Sequence, residues 1–339
     1  MKREAVAEIM GLLDAELVAQ AIGYPGAQEP PRRTKGAAKR LAVLALAACL
    51  LLALSVTAYA VNLWGIRELF HTATQELPES AGPLIQPQEA ASQGEGWSAR
   101  ITESLCDADT VLVAVTVTAG EDYILAPTDA AEEDPLWVIG REGDGTLADY
   151  AAQQEKKILT VGAALPWEEL GVSGQRQRSE QASDSELVLL LVADKDRSLP
   201  QLDTVCNVYA RVIDSEAVER LEIPLTMTES ETRVLGTFVP EDPNAVPCMT
   251  VGEALVTESA LGLTIRYPVT VTDREAFDRI MKTDFAEITA YYSGGTVQDE
   301  AGTLWARFTM CRGEVGDTLT ARCYDWDKQP LGRIVFRKR

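Results

Sequence analysis

The chain has 339 residues, 46% of them hydrophobic, with 31 Lys+Arg against 52 Asp+Glu and a formal net charge of −21. That length makes room for two domains with segments to spare. So acidic a chain repels a phosphate backbone, which argues against nucleic acid as a partner. Its single histidine, His71, excludes His-rich zinc sites, haem held by paired His and a Ser-His-Asp triad inside a globular pocket.

The charge falls into three zones. Residues 1–40 hold seven positive and five negative charges, residues 41–61 hold none, and the remainder carries the acidic excess. In the first zone Val6, Ile9, Met10, Leu13 and Leu17 recur at spacings of three and four, the apolar stripe of an amphipathic helix that Gly23 and Pro25 stop. A lone helix of this length cannot bury its own stripe. Its polar face is acidic, whereas helices lying on membranes are cationic there, so the stripe is expected to dock a cytoplasmic protein partner. The plainer reading is a frayed tail with no task.

Leu41–Val61 is an uncharged run rich in Leu and Ala. As a helix it would be about 31 Å long, against a hydrocarbon core of about 30 Å, so the lipid bilayer is the expected partner of this segment. Arg32, Arg33, Lys35, Lys39 and Arg40 crowd its N-terminal flank, while the other flank holds Arg67 and Glu68. The positive-inside rule then places residues 1–40 in the cytoplasm and the long C-terminal part outside the cell membrane, with Trp64 at the outer interface. A competing reading takes Ala58-Tyr59-Ala60 as a signal-peptidase site and the whole N-terminus as a cleaved leader. The 40 residues before the run and the length of the run favour a retained single-pass anchor.

Residues 62–96 read as a juxtamembrane helix, from the apolar spacing over Leu63–Leu77, followed by a Pro-rich polar linker. Beyond Trp97 the chain turns to short β-branched runs divided by turn residues. The expected fold class is mainly β: two extracellular antiparallel β-sandwich modules of Ig-like type, with few short helices. One helix is signalled by a capping box over Thr272-Asp273-Arg274-Glu275. Modules are expected at 97–240 and 245–339, with the break in Pro240-Glu241-Asp242-Pro243-Asn244. An internal repeat supports two related modules: Ala99–Ser104 and a strand ending Val115–Thr118 return as Ala254–Ser259 and a strand ending Val269–Thr272. Thr128–Gly145 and the polar stretch Ser173–Ser185 read as long loops.

The search for chemistry finds little. Five cysteines lie beyond the apolar run, without Cys-x-x-Cys spacing. They read as small buried hydrophobes, with a disulfide such as Cys106–Cys206 as the alternative. A hairpin about Gly313–Gly316 would set Cys311 opposite Thr318, so that it would not align Cys311 with Cys323. Asp107-Ala108-Asp109 and Asp325-Trp326-Asp327 read as turns rather than calcium loops. No nucleophile has an identifiable base, and no catalytic residue, metal ligand or cofactor motif is expected.

The stripe-bearing segment Ala7–Leu17, the basic stop, the run Leu41–Val61 and the stretch Tyr59-Ala60-Val61-Asn62-Leu63-Trp64-Gly65-Ile66 together resemble a known group. They are similar to single-pass membrane proteins of Gram-positive bacteria that carry an uncharacterised extracellular domain and are anti-sigma-factor-like. The resemblance implies a regulator of an extracytoplasmic-function sigma factor, with an envelope signal or ligand sensed outside and the sigma factor held inside. The chain departs from the better-known anti-sigma factors in its short cytoplasmic part and in lacking a His/Cys zinc motif. The alternative function is a membrane-anchored envelope-binding or adhesion module that passes on no signal.

Overall fold

Residues 65–70, 77–166, 172–195, 199–291, 293–299 and 301–339 are described by a computed structural model. They belong to one compact unit, Leu63–Arg339. The cytoplasmic stripe, the basic run, the apolar run and Trp64 lie outside the described residues. Among the described residues no helix is long and apolar enough to cross a membrane.

The fold is mainly β. After a short helix α1 (Ile66–Phe70), the first module runs β1 (Gln86–Pro87), β2 (Ala91–Gln93), β3 (Trp97–Cys106), β4 (Thr110–Ala119), β5 (Tyr123–Pro127), helix α2 (Leu147–Gln153), β6 (Lys157–Ala164), β7 (Val172–Ser183), β8 (Glu186–Lys195), β9 (Gln201–Val212) and β10 (Glu219–Thr228). Two sheets form. One has the order β1-β3-β4-β8-β7 with β2 also on β3, and the other has the order β10-β9-β6-β5. They share a core in which Val111, Val113, Val115 and Val117 of β4 meet Leu187, Leu189 and Leu191 of β8 and Ile223 and Leu225 of β10. In β10 every second residue from Leu221 to Met227 is buried, the period-two pattern of a strand with one wet face. Its Pro224 is tolerated because β10 is an edge strand.

Three sequence expectations for this module need correction. The region 77–96 is not a free linker, because β1 and β2 extend the edge of β3, with Gln86 opposite Ser104 and Ala91 opposite Arg100. The sheets are not wholly antiparallel, since β5 and β6 pair in parallel. Parallel neighbours need a crossover, and 128–156 supplies it. A 3-10 turn at Leu136–Ile139 and α2, started by a capping box between Thr146 and Asp149, cover Ile124, Ala126 and Ile158. The polar stretch at 173–185 is largely strand β7, not a loop. Its glutamines replace a backbone partner. Gln177 Oε1 accepts from Ala163 N at 2.7 Å and Gln175 Oε1 from Leu165 N at 3.0 Å, while Gln181 Nε2 donates to Leu125 O at 3.2 Å.

The second module contains β11 (Arg233–Pro240), β12 (Met249–Val251), β13 (Ala254–Ser259), β14 (Gly262–Val271), helix α3 (Arg274–Asp278), β15 (Ile280–Phe285), β16 (Ile288–Ala290), β17 (Ser293–Gln298), β18 (Leu304–Gly313), β19 (Thr318–Asp325) and β20 (Pro330–Lys338). Its strands are hydrogen-bonded into a single sheet. One ten-stranded sheet, β15-β19-β20-β11-β13-β14-β18-β16 with β12 on β14 and β17 on β18, curls around its own core. The curl brings Phe285 of β15 within 4.8 Å of Phe308 of β18, ring centre to ring centre.

The break between modules also moves. Strand β11 lies inside the second sheet, between β20 and β13, and Pro240 ends that strand opposite Phe336. The connection is therefore 229–232, and the prolines mark a strand end followed by a turn in which Asn244 N donates to Asp242. Helix α3 starts one residue later than its expected box: Asp273 is the N-cap, accepting from Ala276 N, and Thr272 donates to Pro247 O instead. Strands β18 and β19 do not pair with each other, so Gly313–Gly316 is a crossover rather than a hairpin turn.

Candidate functional site at the junction of the two modules

The central strands β4 and β8 of the six-stranded sheet are buried on both faces. Leu112 and Ala114 of β4 and Val188, Leu190 and Val192 of β8 point away from the sandwich core into a second apolar cluster. Ile66, Leu69 and Phe70 of α1 and Leu261 and Met310 of the second module complete that cluster. Such two-faced strands read as continuous apolar runs, and β4 and β8 do. Full burial of three large side chains at about 1.5–3 kcal/mol each makes α1 an integral part of the junction rather than a loose tether.

Helix α1 is fixed at its start by two carboxylates. Ile66 N donates to Glu103 Oε2 of β3 at 2.7 Å, and Gly65 N donates to Glu68 Oε2 at 3.0 Å. Met310 reaches the cluster through a β-bulge. Thr264 alone stands opposite both Thr309 and Met310, and Met310 has φ = 52°. The extra residue re-aims its side chain outward from the second module's core, the use to which bulges are commonly put.

A polar seam runs beside the apolar cluster. The β3–β4 hairpin ends in a turn whose Asp107 Oδ1 accepts from Asp109 N and Thr110 N. The β13–β14 hairpin ends at Ser259, whose hydroxyl donates to Asp107 Oδ2 at 2.5 Å. These are the two copies of the internal repeat, meeting tip to tip. Burial pushes the Asp107 carboxyl up to about 6, the Asp109 charge adds to this, and the hydrogen bonds from Ser259 and the turn amides oppose it. At the end of β8, Asp194 accepts from Ser293 Oγ at 2.9 Å and pairs with Arg176 at 3.0 Å. The Lys195 ammonium is fully buried, 3.0 Å from Glu229 Oε2 and 3.2 Å from Cys106 Sγ, and Arg307 donates to the Lys195 carbonyl. Burial raises the Cys106 thiol above its ordinary value, against the pull of the Lys195 charge.

The arrangement joins modules chemically by charge-assisted hydrogen bonds and mechanically by α1, Leu261 and Met310. The expected partner-binding residues Val6, Ile9, Met10, Leu13 and Leu17 and the orientation residues Arg32, Arg33, Lys35, Lys39, Arg40 and Trp64 are outside the described residues. The seam residues Asp194, Lys195, Glu229 and Ser259 were not expected from sequence. Asp107 is the turn residue that its sequence context predicts. The repeat and the apolar Leu261 at a hairpin tip were the available signals. The five cysteines Cys106, Cys206, Cys248, Cys311 and Cys323 are buried and free. Among the described residues no group of three or more His, Cys, Asp or Glu is disposed to hold a metal ion.

No protein-family model matches the chain, and no curated protein matches it. A crystal structure described as that of the conserved domain protein from Bacillus anthracis is similar over 82% of this chain and 98% of its own, with a TM-score of 0.47 and 11% identity.

Proposed function

We propose that the chain is a non-enzymatic, anti-sigma-factor-like transmembrane signalling protein. Leu41–Val61 crosses the cell membrane, residues 1–40 lie in the cytoplasm, and the two β modules lie outside and respond to an envelope signal. The stripe Val6, Ile9, Met10, Leu13 and Leu17 docks a cytoplasmic sigma factor. One observation supports this reading above others: α1, which follows the apolar run within a few residues, is packed in the cluster that also receives Leu261 and Met310 from the second module. A shift of one module on the other therefore reaches the foot of the anchor directly. A passive adhesin would gain nothing from that coupling.

The test is affinity capture of the full-length chain from solubilised membranes. Recovery of a sigma factor with the wild type, lost with Leu13→Asp, is the expected result. Equal recovery from both, or none from either, together with retained envelope function after deletion of residues 1–25, would leave the passive anchored module as the better account.

A further inference from the structure

Lys195 is placed for more than an ion pair. It is the last residue of β8, Cys106 is the last of β3, and β4 runs between those two strands. The Lys195 side chain spans that width. Its ammonium, 0% exposed, donates to Cys106 Sγ at 3.2 Å and pairs with Glu229 Oε2 at 3.0 Å. Among the described residues Cys106 is the one cysteine whose sulfur meets an amine. Burial alone raises the Cys206 and Cys311 thiols, and the Cys323 sulfur lies 3.7 Å from the Thr283 hydroxyl. Of the trio, Glu229 meets solvent most, at 10% of its side chain, so a small oxidant enters on that side.

We propose that Cys106 and Lys195 form a peroxide-driven redox pair that closes into a sulfenamide, a covalent Sγ–Nζ bond. In the first step the Cys106 sulfur attacks hydrogen peroxide. An S–O bond forms, the O–O bond breaks, and the departing hydroxide leaves as water with the proton of the thiol. Sulfur gives up two electrons and peroxide takes them, which leaves a sulfenic acid. Such an acid condenses with a nearby nitrogen, and here the flexible Lys stem holds one in contact. Glu229 takes one proton from the ammonium, and the freed lone pair attacks sulfur. The S–O bond breaks as the N–S bond forms, and the hydroxyl leaves with an amine proton as a second water. A thiol reverses the closure by attacking the sulfur and returning the amine. Because burial raises the Cys106 thiol and the thiolate is the attacking form, the first step calls for peroxide in excess.

The bond bears directly on the seam. Asp107, next to Cys106, accepts from Ser259; Asp194, next to Lys195, accepts from Ser293; and Arg307 donates to the Lys195 carbonyl. All three donors belong to the second module, so joining Cys106 to Lys195 fixes the two strand ends that hold them. This site goes beyond the signalling reading and does not depend on it.

The test is peptide mapping of the full chain in lipid nanodiscs after treatment with hydrogen peroxide, with free thiols capped by iodoacetamide before digestion. Trypsin cuts after Lys195, and a sulfenamide there blocks the cut. The expected species is 101–141 joined to 179–197, lighter than the two peptides together by two hydrogens. Dithiothreitol should release it. It should persist in Cys206→Ala and vanish in Cys106→Ser. Lys195→Met, combined with Glu229→Gln so that no charge is stranded, should leave Cys106 oxidised but unjoined. Absence of the joined species from peroxide-treated wild type would overturn the pair, as would a loss of two hydrogens that maps to Cys106 and Cys206 as a disulfide. The wild type alone decides, so a variant that fails to fold does not blunt the test.

Discussion

Ser259 donates to Asp107 over 2.5 Å, and this one hydrogen bond ties the tips of two hairpins 152 residues apart in the chain. Burial, working against this bond, pushes the Asp107 carboxyl up to about 6, so the buried carboxyl gives folding a pH signature. The folded state holds the proton more tightly than the unfolded chain, whose aspartate titrates near 3.8. The stabilisation is thus fully present below about pH 4 and is lost as pH rises through about 6, amounting to about 3 kcal/mol. Urea denaturation of wild type minus Asp107→Asn should show that slope between about pH 4 and 6, with the asparagine variant the more stable at pH 7. A difference that is flat with pH would mean the carboxyl is not the titrating group.

Removing Ser259's hydroxyl acts in the same window. Ser259→Ala takes away a bond that favours the ionised carboxylate, so the transition should move to higher pH. At pH 7 the variant should lose about 1.5–3 kcal/mol, the usual range for a hydrogen bond to a charged group.

Lys195 is buried entirely and paired with Glu229. Lys195→Met strands the Glu229 charge inside the protein and should cost about 3–5 kcal/mol. Adding Glu229→Gln to that variant should restore at least half, since two neutral groups carry no desolvation penalty of that size. Thermal unfolding of the single and double variants measures the difference.

Leu261→Asp places a carboxylate against α1 and the outer face of the six-stranded sheet. Hydrogen exchange at the Leu69 amide, which bonds to Gly65 O, should quicken at least tenfold, while amides in β19 and β20 keep their protection. Uniform loss across both modules would instead mean that the two unfold as one cooperative body.

The double variant Gln175→Ala, Gln177→Ala leaves the amides of Ala163 and Leu165 without their acceptors. Each buried orphan costs about 1–3 kcal/mol, so the unfolding free energy from urea denaturation should fall by about 2–6 kcal/mol although no apolar contact is lost.

The contrast between β4 and β7 shows what was legible in the residues. Strand β4, Thr110–Ala119, advertises itself by its valines, and its mainly β surroundings follow from the same texture. Strand β7 is built of Gln, Arg, Ser and Glu, and nothing local distinguishes such a segment from a solvated loop. It becomes a strand by pairing with β8, and its glutamines bond backbone groups of Leu125, Ala163 and Leu165, partners fixed only once the sandwich has formed. Helix α2 was missed for a related reason, being seven residues whose capping pair is Thr146 and Asp149 rather than the more common Glu. The Ser259–Asp107 bond has no local signature at all. Both residues look like turn formers, and only the tertiary fold makes them neighbours.

The position of β11 has a practical side. Scissors placed at the prolines after Val239 would excise the first module together with an inner ribbon of its neighbour. The donor would then trail an orphaned edge bearing Phe238, while the robbed sheet would gape between β13 and β20. Both halves would be sticky, and their clumping would say nothing about whether either can live alone. Cut between Glu229 and Thr232, each half keeps every strand that it hydrogen-bonds.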